Sequence, residues 1–324
     1  MTAPTGGAAA ASLLVRRMVW EADGVLSVRL ERPDRGDLPA WQPGAHLDLQ
    51  FENGLVRQYS ICGPPDDRSG YEVGVLLEPA GRGGSRYVHE SLRPGMTVQL
   101  RAVRNHFPLV EADGYLFIAG GVGITPLLPM IEQVQARGAR WRLLYAGRAR
   151  PRMAFLDRLA VHDDRVTLAA RADGERLDLQ GWFSHARTRV PGAHVYCCGP
   201  EKMLDQVQLL GAEHGIAVHL ERFTVPAVLR EVGAPAGVFR VELARTGSSF
   251  DVGPDESILD KLLDLGLDLA NDCRDGICGS CIVPVLGGEV DHRDYVLTEK
   301  EKRESKQMLV CVSRCRADRL VLDL

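Results

Sequence analysis

No secretory signal precedes the eight cysteines of this 324-residue chain. Its opening, MTAPTGGAAAAS, has neither a charged n-region nor a strongly apolar h-region, so residues 1–12 read as a loose leader. A disulfide framework needs an oxidising compartment and usually a short chain, and neither is in view. Paired zinc knuckles are also missing: Cys278 and Cys281 form one C-x2-C pair, and no matching knuckle follows. Net charge is only −4, which gives no general case for nucleic acid. One uncharged run, GYLFIAGGVGITPLLPMI over residues 114–131, approaches the length of a membrane span. Glycines cluster in its middle and two prolines follow, so a strand, a glycine turn and a helix describe it better, and no membrane span is expected. Neither a 2-His-1-carboxylate set nor a haem motif is evident, so oxygen activation is not expected within this chain.

The cysteines that are present have a specific spacing. CRDGICGSC places Cys273, Cys278 and Cys281 in C-x4-C-x2-C, the plant-type pattern for a 2Fe-2S cluster, which takes a distant fourth cysteine. Cys311 lies in a short apolar run, Met308 to Val312, that reads as a strand, whereas Cys315 falls past it after an arginine. Choosing Cys311 as the fourth ligand gives C-x4-C-x2-C-x29-C. Gly276 and Gly279 permit the close approach of backbone N–H groups to sulfur, and such bonds help set the redox potential. Cys62, Cys197 and Cys315 read as small buried hydrophobes or partly exposed thiols.

A composition of 45% hydrophobic and 25% charged residues is that of a soluble globular protein, and the length implies two or three domains. From Val238 onward the chain carries 12 basic and 17 acidic residues, so the cysteine-bearing end is an acidic module. TVPAVLREVGAPAG, residues 224–237, reads as a linker. In the first ~110 residues, LSVRLER, HLDLQF, RQYSICG, YEVGVLLE and TVQLRAV read as strands of a small antiparallel β-barrel. Between them lies GRGGS, residues 81–85, opening a short helix, RYVHESL. Such a turn offers free N–H groups to an anion, although GRGGS alone is also an ordinary loop. The next block alternates strands (YLFIAG, WRLLYAG, VTLAAR, HVYCCG) with helical segments, a doubly wound α/β pattern. GGVGITP and CCGPEKML both end strands in glycine turns. Thr125 is expected to cap a helix whose first residue is Pro126, and Gly199 and Pro200 repeat the punctuation. Two such turns at the carboxyl edge of a sheet predict a dinucleotide crevice.

RQYS, GRGGS, GGVGITP, YCCGP and the C-terminal cysteine pattern occur in that order. Together they make the chain resemble the phthalate dioxygenase reductase family, FMN-containing and ferredoxin-fused reductases of the ferredoxin–NADP+ reductase superfamily, from about Leu13 to Leu324. VDHRDYVLTEKE and CVSRCRADRLVLDL fit that family's ferredoxin portion. The resemblance implies an FMN barrel over 13–112, an NAD(P)H-binding α/β domain over 113–223 and a β-grasp ferredoxin domain over 238–324. It implies that Arg57 neutralises flavin phosphate, that Tyr59 packs along the isoalloxazine, and that Ser60 bonds near N5. Val75 and Leu76 would line the ring, and Gly83, Gly84 and Ser85 would cradle the FMN phosphate. Gly121, Gly123, Thr125, Pro126, Gly199 and Pro200 would meet the pyridine nucleotide, with Cys198 beside the nicotinamide and Arg148 at its ribose or phosphates. Phe223 would cover the flavin.

Two features depart from the family. Cys315 stands where it has a small residue. No acidic residue follows the strand ending near Gly147; Arg148, Arg150 and Arg152 cluster there instead. NADH is the family expectation, and NADPH stays open. Flavin belongs between a two-electron donor and a one-electron cluster. The expected function is therefore an NADH-dependent cytoplasmic reductase, favoured as a monomer, serving a separate terminal oxygenase. That partner would be a Rieske-type hydroxylase or demethylase, with a cytochrome P450 as the alternative. An iron–sulfur sensor without turnover is the competing class.

Overall fold

The computed structural model describes residues 11–162, 164–190, 192–223 and 237–324; the expected linker falls outside them except for Gly237. The chain divides into two compact units, residues 1–221 and 222–324.

The first unit begins with a barrel: β1 (Ala11–Ala22), β2 (Val25–Glu31), β3 (Ala45–Gln50), β4 (Val56–Ser60), β5 (Gly70–Leu76), α1 (Gly84–Glu90) and β6 (Thr97–Asn105). The strands are antiparallel in the order β4-β3-β6-β1-β2-β5. An Ile61–Val73 bridge, one residue past β4, joins the two ends of that order. Alternate residues such as Leu13, Val15, Val28, Leu30, Leu47 and Leu49 fill the interior. The first strand was absent from the expected set. SLLVRRMVWEA does not alternate cleanly because the β1–β2 register shifts between Val15 and Arg17 and again between Trp20 and Ala22.

The same unit continues with β7 (Gly114–Gly120), α2 (Leu127–Ala136), β8 (Arg140–Gly147), α3 (Leu156–Leu159), β9 (Val166–Ala170), α4 (Leu179–Arg189), β10 (Ala193–Cys198), α5 (Glu201–His214) and β11 (Val218–Glu221). These strands are parallel in the order β11-β10-β7-β8-β9. Every residue of the central β7 is buried, as a strand covered by helices on both faces requires. Phe117, Tyr145 and Tyr196 pack toward α2 on one face; Leu116, Ile118 and Leu144 pack toward α4 and α5 on the other.

The second unit is a β-grasp: β12 (Phe239–Leu243), β13 (Ser249–Val252), α6 (Ile258–Asp264), β14 (Ile282–Gly287), β15 (Val290–Asp291), α7 (Glu299–Glu304), β16 (Gln307–Leu309), β17 (Arg314–Cys315) and β18 (Arg319–Leu322). Its main sheet runs β13-β12-β18-β14-β16, with β15 and β17 paired apart. Ser257 caps α6 by accepting from Asp260 N–H at 3.0 Å. Thr298 and Glu301 close a capping box on α7. Among the described residues no helix is long and apolar enough to cross a membrane.

Candidate active site and iron–sulfur centre

Strand β4 carries RQYS. Its alternation puts Arg57 and Tyr59 on one face and Gln58 and Ser60 on the other. Arg57 bends over the glycine turn: its guanidinium donates to the Val56 carbonyl at 2.7 Å and to the Arg82 carbonyl. Its side-chain stem occupies the space that a Cβ on Gly84 would need. Gly83, just before α1, has φ +83°, a conformation that favours glycine. Ser85 Oγ accepts from Glu78 N–H at 3.0 Å, closing the turn. A guanidinium above a turn without room for a side chain fits a phosphate group. Tyr59 packs near Phe51, with ring centroids 6.4 Å apart, and burial raises its phenol pKa. Val75 is buried and Leu76 half-buried on β5. A Cβ on neighbouring Gly74 would stand 2.6 Å from Thr125 Cγ2, so this strand abuts the first nucleotide turn.

At that turn Gly121 has φ +57°, and a single 3-10 turn spans Gly121–Ile124 before α2 starts. The capping differs from the sequence reading. Thr125 Oγ1 donates back to the Val122 carbonyl at 2.9 Å, and Pro126 occupies the cap position before Leu127. The 3-10 turn places Thr125 at its own end, so the hydroxyl closes that turn instead of opening the helix. Gly123 abuts the Cys198 carbonyl, and a Cβ on Gly199 would stand 3.0 Å from Gly120 Cα. The turns after β7 and β10 therefore share one crevice at the carboxyl edge. Pro200 precedes α5 as its cap residue. Cys198 is fully buried, pairs in register with Ala119 and Glu221, and has its thiol pKa raised by burial.

Glu221 was missed in the sequence reading. It ends β11, and Ser60 Oγ donates to its Oε2 at 3.4 Å across 161 residues. Burial pushes its pKa up to about 8. A carboxyl held near neutrality beside a serine and a neutral thiol can exchange protons at physiological pH. The available signal was an acidic residue ending the strand VHLE in a doubly wound sheet. Phe223 lies two residues further on and is 40% exposed.

The arginine cluster after β8 also differs. Arg148 is exposed. Arg150 pairs with Asp173 at 3.3 Å and Glu175 at 2.7 Å, on the loop after β9. Glu175 also accepts from Ala170 N–H at 2.6 Å, and its pKa is lowered by that bond and then by Arg150. The acidic groups missing after β8 thus arrive from the next strand end.

In the second unit Cys273, Cys278, Cys281 and Cys311 are all buried. They stand in two couples: the Cys278 thiol holds the Cys273 pKa down, and the Cys311 thiol does the same for Cys281. As the side chains stand, no three His, Cys, Asp or Glu groups among the described residues converge on one ion. Two couples nevertheless fit a two-iron cluster, which takes two thiolates per iron. Gly276 (φ +72°) and Gly279 (φ +70°) supply the left-handed turns of the loop. Cys311 sits in the turn just after β16 rather than within a strand. Cys315 is on β17, half-buried, with its thiol directed to the Arg319 carbonyl at 3.3 Å. Cys62 and Cys197 are buried.

Two family models match the chain: a 2Fe-2S iron-sulfur cluster binding domain over residues 241–316 and an oxidoreductase NAD-binding domain over 117–209. Phenoxybenzoate dioxygenase subunit beta of Ectopseudomonas oleovorans is 38% identical over 97% of each chain. Phthalate dioxygenase reductase of Burkholderia cepacia is 36% identical over 96% of this chain and 94% of its own. The solved phthalate dioxygenase reductase structure superposes with a TM-score of 0.70 at 34% identity, covering 98% of each chain. An intact type IV self-sufficient cytochrome P450 monooxygenase superposes at 0.88 and 39% identity, but this chain spans only 41% of it.

Fold and site define a flavin-linked pyridine-nucleotide oxidoreductase with a plant-type ferredoxin module. The chain belongs to the phthalate dioxygenase reductase family. The matched domains are those that bind a 2Fe-2S cluster and a nicotinamide dinucleotide.

Proposed function

We propose that this protein is the NADH-dependent reductase component of an oxygenase system whose terminal oxygenase, a Rieske-type hydroxylase or demethylase, is a separate protein. The supporting observation is the end-to-end likeness to an aromatic dioxygenase subunit and to a phthalate dioxygenase reductase. FMN, when bound, takes two electrons from NADH as a hydride and releases them singly toward the cluster. Arg57, Gly83, Gly84 and Ser85 hold its phosphate, while Tyr59, Val75 and Leu76 flank its ring. Gly121, Gly123, Thr125, Pro126, Cys198, Gly199 and Pro200 position NADH, with Arg148 at the phosphates. Ser60 and Glu221 hold the proton at the flavin edge. Cys273, Cys278, Cys281 and Cys311 carry the cluster. The domain limits proposed are 13–112, 113–223 and 238–324. Cytoplasmic residence suits cysteines outside disulfides and a nicotinamide donor, and the protein acts as a monomer.

A second reading, a cytochrome P450 as partner, is favoured by the likeness to the self-sufficient monooxygenase. The test is reconstitution. Purified protein should show flavin and iron–sulfur absorbance, both bleached by NADH. It should then sustain product formation by a Rieske oxygenase far better than by a P450. The opposite order favours the second reading, and spectra unchanged by NADH refute a reductase altogether.

A further inference from the structure

Strands β4, β3 and β6 lie side by side, and their register lines up a second set of polar residues beside Ser60. His46 pairs with both Ser60 and Arg104, and Asp48 pairs with Gln58. Residues opposed in this way project to the same face. Asp48 is fully buried and His46 is 6% exposed. Arg104 donates to Asp48 Oδ2 at 2.7 Å, and His46 Nε2 lies 3.8 Å from Asp48 Oδ1. Burial, and then the charges of His106 and Arg104, lower the His46 pKa to about 3, so the ring is neutral. Three atoms of this strip are buried without a hydrogen-bond partner among the described residues: His46 Nε2, Asp48 Oδ1 and Gln58 Nε2. Unmatched buried polar atoms are costly, and contiguous ones along a single face call for an explanation. At the outer end the exposed His106 ring lies 5.7 Å from that of His46.

We infer that His46, flanked by Asp48 and Arg104, is the proton exit from the Ser60–Glu221 pair to His106 and solvent. This rests on the reductase reading above. The balance requires an exit: NADH becomes NAD+ with two electrons and one proton released. FMN, when bound, would accept the hydride of NADH and give up its two electrons singly, leaving one proton at the flavin edge for this chain's residues to carry. That proton would pass to Ser60 Oγ as the hydroxyl, turned from Glu221 toward its cross-strand neighbour, hands its own proton to His46. A neutral imidazole takes a proton on one ring nitrogen and gives one up from the other, so it conducts without holding charge. Asp48 faces the ring from 3.8 Å, and Arg104 keeps Asp48 from turning away. Glu221, on the other side of Ser60, is the local store.

The experiment uses full-length holo-protein in weak buffer, reduced with NADH and then mixed with excess cytochrome c as one-electron acceptor, with flavin absorbance and a pH-indicator dye followed in the same stopped-flow trace. In His46→Gln, flavin bleaching by NADH should stay within about twofold of the parent while proton release slows about a hundredfold, the low end of the range for a lost acid–base group. Added imidazole should restore the rate. His106→Gln, an exposed change that does not threaten the fold, should slow release about threefold by the same argument. In flavin-free protein, nitrogen NMR should show His46 neutral at pH 6. Unchanged proton release in His106→Gln together with a charged His46 at pH 6 overturns the proposal, as does unchanged release in His46→Gln. Bleaching by NADH bears on the reductase reading alone, so the two failures are distinguishable.

Discussion

Gly123 and Cys198 meet backbone to backbone, so that any Cβ on Gly123 would overlap the Cys198 carbonyl oxygen. The two nucleotide turns, on β7 and β10, are thereby pressed together, and the nearest atoms are main chain, which cannot swing aside. Gly123→Ala should separate them. Stability should fall by roughly 1–3 kcal/mol, as overpacking does, and KM for NADH should rise more than kcat falls. Unchanged KM and melting temperature would refute the close contact.

The thiol couples give a second expectation. Serine at Cys273, Cys278, Cys281 or Cys311 should strip the cluster or damage it badly, since each couple supplies two of the four ligands. Cys315→Ser should keep full iron content, because its thiol is turned to the Arg319 carbonyl. Iron retained in Cys311→Ser and lost in Cys315→Ser would reverse the assignment.

Burial holds the Glu221 pKa near 8 against an ordinary 4.5. The folded state therefore binds its proton more tightly than the unfolded chain does. This contribution to stability is complete below pH 4.5, falls as pH rises toward 8, and then levels off. Glu221→Gln keeps an acceptor for Ser60 and removes the titration. Relative to the parent, the variant should gain stability progressively across that window, read from melting temperature against pH. Parallel curves would show that the carboxyl is not desolvated.

Coenzyme choice turns on Arg150. Already paired with Asp173 and Glu175, it is poorly disposed to accept a 2′-phosphate, and NADH should have the higher kcat/KM. Asp173→Asn with Glu175→Gln should free it and narrow the preference about fivefold, matching roughly 1 kcal/mol for an exposed charge pair. If NADPH wins in the parent protein, neutral residues at 148, 150 and 152 should reverse the order.

A chain ending at Pro226 keeps both halves of the first unit and every nucleotide turn. It should bind FMN and reduce ferricyanide with NADH, yet fail to support the oxygenase. Loss of flavin binding on truncation, or full oxygenase turnover without the tail, would contradict the assigned division.

Much of this arrangement is written locally. Spacing alone exposes the cluster cysteines, and glycines after apolar runs expose both nucleotide turns, because these features depend on residues a few positions apart. Glu221 and the Arg150 pairing are not visible that way. Glu221 acquires its role from Ser60, 161 residues distant, and from burial that a short strand does not advertise. Arg150 looks like part of a basic cluster until the β9 loop brings two carboxylates to it. β1 was hidden for a different reason: register shifts break its alternation, and its paired arginines mimic a loop. His46 and Asp48 read as polar beats of an ordinary half-exposed strand, yet they are buried between β4 and β6.

The second unit has a hydrophobic core built from its own residues, Phe239 to Leu322. Heat or oxidation can therefore disable this protein by halves. A molecule whose iron–sulfur end had collapsed would still consume NADH, with whatever oxidant reaches the flavin, dioxygen included, as its outlet. For the cell, partial damage is then worse than complete unfolding: it leaves a leak in place of a dead enzyme. That asymmetry favours clearing the chain as a whole whenever its C-terminal part fails.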